Sequence, residues 1–169
     1  GEIGIFRDFG PGLRMGLGVG ANGVRQDLAF KGETEADGAY VVAEADFAPT
    51  GRRDLVLSAV ALYGKMDADI RRGYLNGAAL DASSGESDAH TQALRIRVDK
   101  HDAVQLGGFS LSPYLSYSYA QTELDAYTEK GGGFPVAYGE QRLENHEFRL
   151  GATAKTALSR HTDLRVNAE

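Results

Sequence analysis

The chain has 169 residues, a formal net charge of -6 and a pI near 5.2, so it lacks the basic footprint that nucleic-acid binding requires. No apolar run approaches the roughly 20 residues of a transmembrane helix, though barrel strands, apolar only at alternate positions, escape that test. With 22 glycines, 4 prolines, 8 tyrosines, 7 phenylalanines and neither tryptophan nor cysteine, the composition is that of an all-β protein of one domain.

In chain order, residues 1–11 read as loop or a frayed strand. Leu13, Met15, Leu17, Val19 and Ala21 then alternate with Arg14, Gly16, Gly18, Gly20 and Asn22, the period of two that marks a strand. Asn22-Gly23 predicts a tight hairpin turn, and Asp37-Gly38 a second. Between them Val24, Gln26, Leu28 and Phe30 face away from Arg25, Asp27 and Lys31. Val41, Ala43, Ala45 and Phe47 oppose Tyr40, Val42, Glu44 and Asp46, and residues 49–53 form a short turn.

Residues 54–66 form a strand with Leu55, Leu57, Ala59, Ala61 and Tyr63 on its outer face, although Val56, Val60 and Leu62 make the other face apolar too. The polar stretch 67–88 reads as a long loop. Leu94, Ile96 and Val98 then alternate with Arg95, Arg97 and Asp99, and 100–108 turns the chain into its clearest strand. There Phe109, Leu111, Pro113, Leu115, Tyr117 and Tyr119 face away from Ser110, Ser112, Tyr114, Ser116 and Ser118. Residues 125–141, with Gly131-Gly132-Gly133, form a second long loop. Phe148, Leu150, Ala152 and Ala154 alternate with Glu147, Arg149, Thr153 and Lys155. After a turn at 159–161, a last strand begins at Thr162 and sets Leu164 and Val166 against Asp163 and Arg165.

The sum is about eight antiparallel strands. Long connections at 67–88 and 125–141 alternate with short ones, as in an outer-membrane barrel, and the turn at Asp37-Gly38 breaks that pattern. Charges gather on one face: Arg95, Arg97, Asp99, Glu147, Arg149, Glu44 and Asp46 are candidates to line a wet lumen. Phe47 and Phe109 near one end, and Tyr63, Tyr117 and Tyr119 near the other, are candidates for an aromatic girdle. From Phe109 to Tyr119 is about 33 Å of strand, or roughly 25 Å of height when tilted, which matches an apolar band. Alternation alone also fits a soluble sandwich, or a complete eight-stranded barrel serving as an adhesin or a lipocalin-type ligand binder.

Chemistry is not legible. Gly18-Val19-Gly20-Ala21-Asn22-Gly23 matches a dinucleotide string but lacks the helix that must follow it, and small residues facing the lumen explain it better. His90, His101, His146 and His161 show no metal spacing, and Asp67, Asp69 and the acids of 81–88 lack that of a calcium loop. Ser83, Ser84 and Asp88 near His90 form no ordered triad, so a hydrolytic enzyme of the membrane-barrel type with Ser84 and His90 near the rim is the weakest reading. No catalytic, metal or cofactor residue is assigned.

Arg72-Gly73-Tyr74, Leu111-Ser112-Pro113-Tyr114, Ala126-Tyr127-Thr128-Glu129 followed by glycines, Phe134-Pro135-Val136 and Arg149-Leu150-Gly151 together resemble the C-terminal β-domain of autotransporters, the type V secretion proteins of Gram-negative bacteria. The resemblance is carried mostly by residues 70–158 and is nearest to β-domains attached to serine-protease and esterase passengers. It implies an antiparallel up-and-down transmembrane β-barrel, of which this chain supplies about eight of twelve strands. It also implies a pore helix from a secreted passenger in the lumen, outer-membrane lipid around the wall, insertion by the barrel assembly machinery, and no enzymatic activity in these residues. Arg72 and Glu129 become candidate anchors at the extracellular mouth. The chain opens on Gly1 rather than methionine, and the family's terminal strands and pore helix are not found in it, so it reads as a segment. Two unpaired edges are expected, at 13–21 and 162–168.

Overall fold

In a computed structural model, which describes residues 1–49, 54–159 and 162–168, the chain forms a nine-stranded antiparallel sheet and a second sheet of two short strands. Its strands are β1 (Glu2–Asp8), β2 (Leu13–Asp27), β3 (Glu33–Phe47), β4 (Leu55–Asn76), β5 (Ala79–Lys100), β6 (Val104–Leu106), β7 (Phe109–Leu124), β8 (Tyr127–Thr128), β9 (Ala137–Tyr138), β10 (Gln141–Ser159) and β11 (Thr162–Ala168). The wall runs β1-β2-β3-β4-β5-β7-β10-β11, with β6 hairpinned onto β7 and β8-β9 forming a small separate ribbon. Each strand pairs with its sequence neighbour, the up-and-down order that short connections produce. Among the described residues β1 and β11 do not pair with each other, so these eight strands do not close on themselves.

Several expected boundaries move. Of the two readings of residues 1–11, loop or frayed strand, the strand is found: β1 pairs with β2 from Glu2↔Gly20 to Asp8↔Arg14 and becomes the edge in place of residues 13–21. Neither Asn22-Gly23 nor Asp37-Gly38 turns; the two pairs face each other inside continuous strands, as Asn22↔Gly38 and Gly23↔Asp37. Pairing with β4 through Gly38↔Met66 and Asp37↔Asp67 overrides the local turn preference. The chain instead reverses over residues 28–32, a 3-10 turn in which Phe30 and Lys31 adopt left-handed φ of 55° and 62°. Arg25 and Asp27 therefore share the face of Leu13–Ala21 rather than that of Arg14, contrary to expectation, and Lys31 sits in the turn. The expected loop 67–88 is also strand: β4 and β5 pair without interruption from Leu55↔Lys100 to Asn76↔Ala79 and turn at Gly77. The expected turns at 49–53 and 159–161 lie largely outside the described residues, as do His161 and the Asp163 side chain.

Alternation sorts the wall into two faces. Leu17, Ala43, Ala61, Leu94, Tyr119 and His146 form one cross-strand row; Met15, Ala45, Ala59, Ile96, Tyr117 and Phe148 form the next. This face is widely exposed, Phe148 by 76% and Leu150 by 73%, which in water would be an untenable apolar surface and in lipid is the stable one. The opposite face is more covered and polar. There small residues sit under rings: a Cβ on Gly20 would overlap the Tyr40 ring, and one on Gly151 would overlap Tyr114, which is buried. These are close approaches across the strand that only glycine permits.

Candidate functional site: a strap over the extra-membrane hairpin

Outward-facing apolar residues on β4 end at Tyr63, and Lys65, Asp67, Asp69 and Arg71 continue the same face. Beyond Lys65 the hairpin climbs another 11 residues, about 36 Å of strand. β7 stops pairing with β5 at Leu124↔Ala89, which leaves the upper edge of β5 without a long partner. The segment between β7 and β10 fills that edge. Asp125 N donates to Asp88 O at 2.9 Å, and Ser84 and Lys130 exchange backbone hydrogen bonds of 3.0 and 2.7 Å. Ser87 Oγ donates to Asp125 O at 2.7 Å.

The strap's anchor is Glu129. Its side chain is fully buried, and its carboxylate accepts from Arg72 Nε at 2.9 Å, from Arg72 Nη2 at 2.7 Å and from the Val136 amide at 3.0 Å. Arg72 Nη2 also donates to Phe134 O at 2.7 Å, and its guanidinium lies 4.7 Å from the Tyr74 ring centroid. A buried carboxylate is tolerable only when its lone pairs are met, and here three donors meet them. The Arg72 hydrogen bonds, helped by the Val136 amide, hold Glu129 below the ordinary glutamate range against the opposing effect of burial; Glu129 in turn raises Arg72.

Proton counting fixes a second chain of bonds. Ser83, completely buried, donates its one proton to Gly131 O at 3.0 Å. Tyr74 must then be the donor in its 2.8 Å contact with Ser83 Oγ, and its own oxygen accepts the Phe134 amide at 3.1 Å. Asp81 accepts from Asn76 at 3.1 Å and from the amides of Ala82 and Gly133 at 2.8 Å each, which lower its pKa. Gly132 holds φ +65° and passes so near Tyr74 and Ser83 that a Cβ has no room. Phe134 meets Tyr74 edge to face at 5.9 Å, and Tyr127 stacks on Tyr138 at 4.9 Å. Burial raises the Tyr127 pKa.

The structure therefore brings Arg72 and Glu129, 57 positions apart, into one bidentate pair. Around it gather Tyr74, the three glycines and Phe134, from three of the short motifs that carry the family resemblance; the other two, Leu111–Tyr114 and Arg149–Gly151, lie on β7 and β10. Asp81 and Ser83 were not legible as partners, because both lie in the stretch that reads as loop; the glycine run was the only local signal.

The other candidates lie on the wall. Arg95, Arg97, Asp99, Glu147, Arg149, Glu44 and Asp46 share the covered face. Arg97 is bidentate to Asp99 at 2.6 Å and lies 3.8 Å from the Tyr114 ring centroid; Arg149 pairs with Glu147 at 2.8 Å, and Asp46 accepts from Ser58 at 2.6 Å. Phe47, Tyr63, Phe109, Tyr117 and Tyr119 share the opposite face. Tyr117 reaches His146 Nδ1 at 2.8 Å and Phe148 at 4.7 Å between centroids. Ser84 and His90 lie six residues apart on β5, about 20 Å along the strand, so they form no common site. Among the described residues no group of three His, Cys, Asp or Glu is arranged to hold a metal.

A polar covered face, a lipid-compatible outer face and a polar cap above it define an outer-membrane β-barrel wall. Residues 1–169 match the family model described as the autotransporter beta-domain, and the chain belongs to that family, whose place is the bacterial outer membrane. The translocator domain of autotransporter NalP from Neisseria meningitidis superposes with a TM-score of 0.76 at 15% identity, over 98% of this chain and 56% of the solved one. Esterase EstA of Pseudomonas aeruginosa is 29% identical over 98 residues, 57% of this chain and 15% of the esterase; EstA of Pseudomonas putida matches equally. The chain thus spans a small part of those relatives.

Proposed function

We propose that these strands are part of a translocator that anchors a passenger domain in the outer membrane and supports its secretion to the cell surface. In this reading they belong to a twelve-stranded barrel inserted by the barrel assembly machinery, with a pore helix in the lumen. Arg95, Arg97, Asp99, Glu147, Arg149, Glu44 and Asp46 line the lumen, and Phe47, Tyr63, Phe109, Tyr117 and Tyr119 sit at the lipid boundaries. Arg72 and Glu129 hold the extracellular mouth. The residues of this chain bind and position; we assign them no catalysis and no cofactor, and the esterase activity in its relatives' names stays with those proteins.

The single observation that carries the reading is the segregation of the two faces across the strands. An arginine or lysine on the lipid face costs about 2–4 kcal/mol at the midplane, and in the cross-strand rows that hold Ala43, Ala45, Ala59 and Ala61 the only charged side chain is Arg7, on the edge strand. Cysteines placed at Arg97 and Arg149 in membranes are expected to react with water-soluble maleimides, and those at Ile96 and Phe148 only with membrane-soluble reagents. The reverse pattern would refute the orientation.

A further inference from the structure

The outward face carries a groove at the level where lipid gives way to water. Two cross-strand rows make it: Ile3, Val19, Val41 and Tyr63 in the lower, and Ala21, Ala39 and Lys65 in the upper. The short side chains of Ala21 and Ala39 leave a hollow of about 790 Å³ there. Below it the wall continues as a valley with high sides and a low floor. Leu17, Ala43, Ala61 and Leu94 stand in one row, and Met15, Ala45, Ala59 and Ile96 in the next. A hollow in a lipid-facing wall is filled by whatever surrounds it, because an empty gap forfeits the dispersion contacts of the atoms that line it. This one is continuous with the lipid face, so its occupant is an acyl chain.

The polar groups above the groove follow in an order that specifies the rest of the lipid. At its upper end the Lys65 ammonium meets Asp88 at 2.9 Å, which leaves two of its three donors for another acceptor. About 20 Å further up β4, Arg71 and Lys130 flank Ser84 in one row, beside a cavity of about 570 Å³. Among the described residues neither cation makes a side-chain hydrogen bond or ion pair. Asp69 and Glu86 line the same cavity, whereas Glu33 and Glu35 are engaged by Arg25. A glycerophospholipid headgroup is too short to join Lys65 to Arg71. A phosphorylated sugar chain is long enough, and it carries both kinds of partner: hydroxyls that donate to carboxylates and phosphates that accept from Arg and Lys.

We propose that the outward face of these strands holds a phosphorylated glycolipid of the outer leaflet. One acyl chain lies in the groove and runs down the alanine-floored valley. The phosphate nearest the membrane meets Lys65. The sugar chain climbs the hairpin, donates to Asp69 and Glu86, and sets a further phosphate between Arg71 and Lys130, which stand about 10 Å apart across Ser84. This rests on the reading of the face as lipid-facing, and adds which lipid it holds and where.

The test reconstitutes the full-length protein in vesicles of phosphatidylethanolamine and phosphatidylglycerol that also contain rough lipopolysaccharide or lipid A. After extraction in mild detergent, native mass spectrometry identifies the lipid each barrel retains. Both glycolipids are expected to be kept in preference to either phospholipid. Ala39→Trp, which fills the hollow, and Lys65→Gln are each expected to lower retention of both glycolipids about tenfold, the effect of roughly 1.4 kcal/mol on an equilibrium. Arg71→Gln combined with Lys130→Gln is expected to weaken lipopolysaccharide by a similar factor and to leave lipid A, which lacks the outer sugars, unchanged. Barrel integrity is checked by heat-dependent gel mobility; if Ala39→Trp fails that check, Ala39→Leu decides by the same readout, with a smaller loss expected. Unchanged retention in the Ala39 or Lys65 variants would overturn the site. Phosphatidylglycerol held as firmly as lipopolysaccharide, or no effect of the Arg71 and Lys130 pair, would overturn the glycolipid. Ile96→Cys, outside the groove, is labelled in the same vesicles: reaction with a water-soluble maleimide would overturn the lipid-facing reading and this proposal together. Labelling by membrane-soluble reagents only, without selective retention, would overturn this proposal alone.

Discussion

The membrane-crossing wall and the hairpin that rises above it are the same two strands under different solvents. Between Leu55 and Tyr63, β4 shows lipid an apolar face; between Lys65 and Arg71 the same face carries Lys65, Asp67, Asp69 and Arg71. Backbone pairing does not change across that line, with β4 and β5 in register for 22 pairs. What changes is the source of cohesion. In the wall, lipid makes alternation compulsory and few side chains need specific partners. Above it, water accepts either face, and order comes from the buried polar strap of Arg72, Glu129, Tyr74, Ser83 and Asp81. β3 pairs with β4 as far as Glu33↔Arg71; beyond that pair β4 and β5 form a ribbon of two strands, marginal by itself, and the strap's contacts make it a fixed structure.

The sharpest way to break this contrast is one substitution in both regions. Ala59→Arg, on the outer face at mid-membrane, is expected to destabilise the barrel by about 2–4 kcal/mol in denaturant unfolding from lipid vesicles. Asp69→Arg, on the same face of the same strand, is expected to stay within about 0.5 kcal/mol. Equal costs would place both residues in one environment. Within the strap, Gly132→Ala forces a left-handed residue against Tyr74 and is expected to cost at least about 1–2 kcal/mol of strap closure. It should appear as faster proteolysis within residues 125–140 while the wall stays heat-modifiable. Ser83→Ala removes the link between Tyr74 and Gly131, with an expected loss of about 1 kcal/mol by the same assay.

Acid supplies the smallest effect near neutrality. Because the Glu129 pKa is lowered in the folded state, its contribution is fully present above the ordinary glutamate value, about 4.3, and fades only as pH falls through the folded value. Hydrogen exchange at the Val136 amide, corrected for its intrinsic rate, is expected to show no opening between pH 8 and 5, taken here as roughly the range in which an ordinary glutamate stays ionised. Opening should appear in more acid solution, and Glu129→Gln should abolish that pH dependence. A change near pH 6 would point to another group.

Most of the wall could be read in advance, because lipid on one side imposes a period of two from Leu13 to Ala21 and from Phe109 to Tyr119. The upper hairpin could not, because residues 67–88 lose their apolar face and keep only their pairing, which leaves no trace in hydropathy. Asn22-Gly23 and Asp37-Gly38 misled for a related reason: their turn preference is local and weak, whereas 15 cross-strand pairs hold β2 against β3. Arg72 and Glu129 were legible as members of motifs but not as each other's partners. The sequence by itself determined that the wall strands alternate and which of their faces is charged at Glu44, Asp46, Arg95 and Arg97, since each follows from side chains two residues apart; it split β2 at Asn22-Gly23 and did not separate β1 from a loop. Register, the height of the hairpin and the convergence of three short motifs into one strap were decided by tertiary structure, because backbone pairing between distant segments sets where a strand ends.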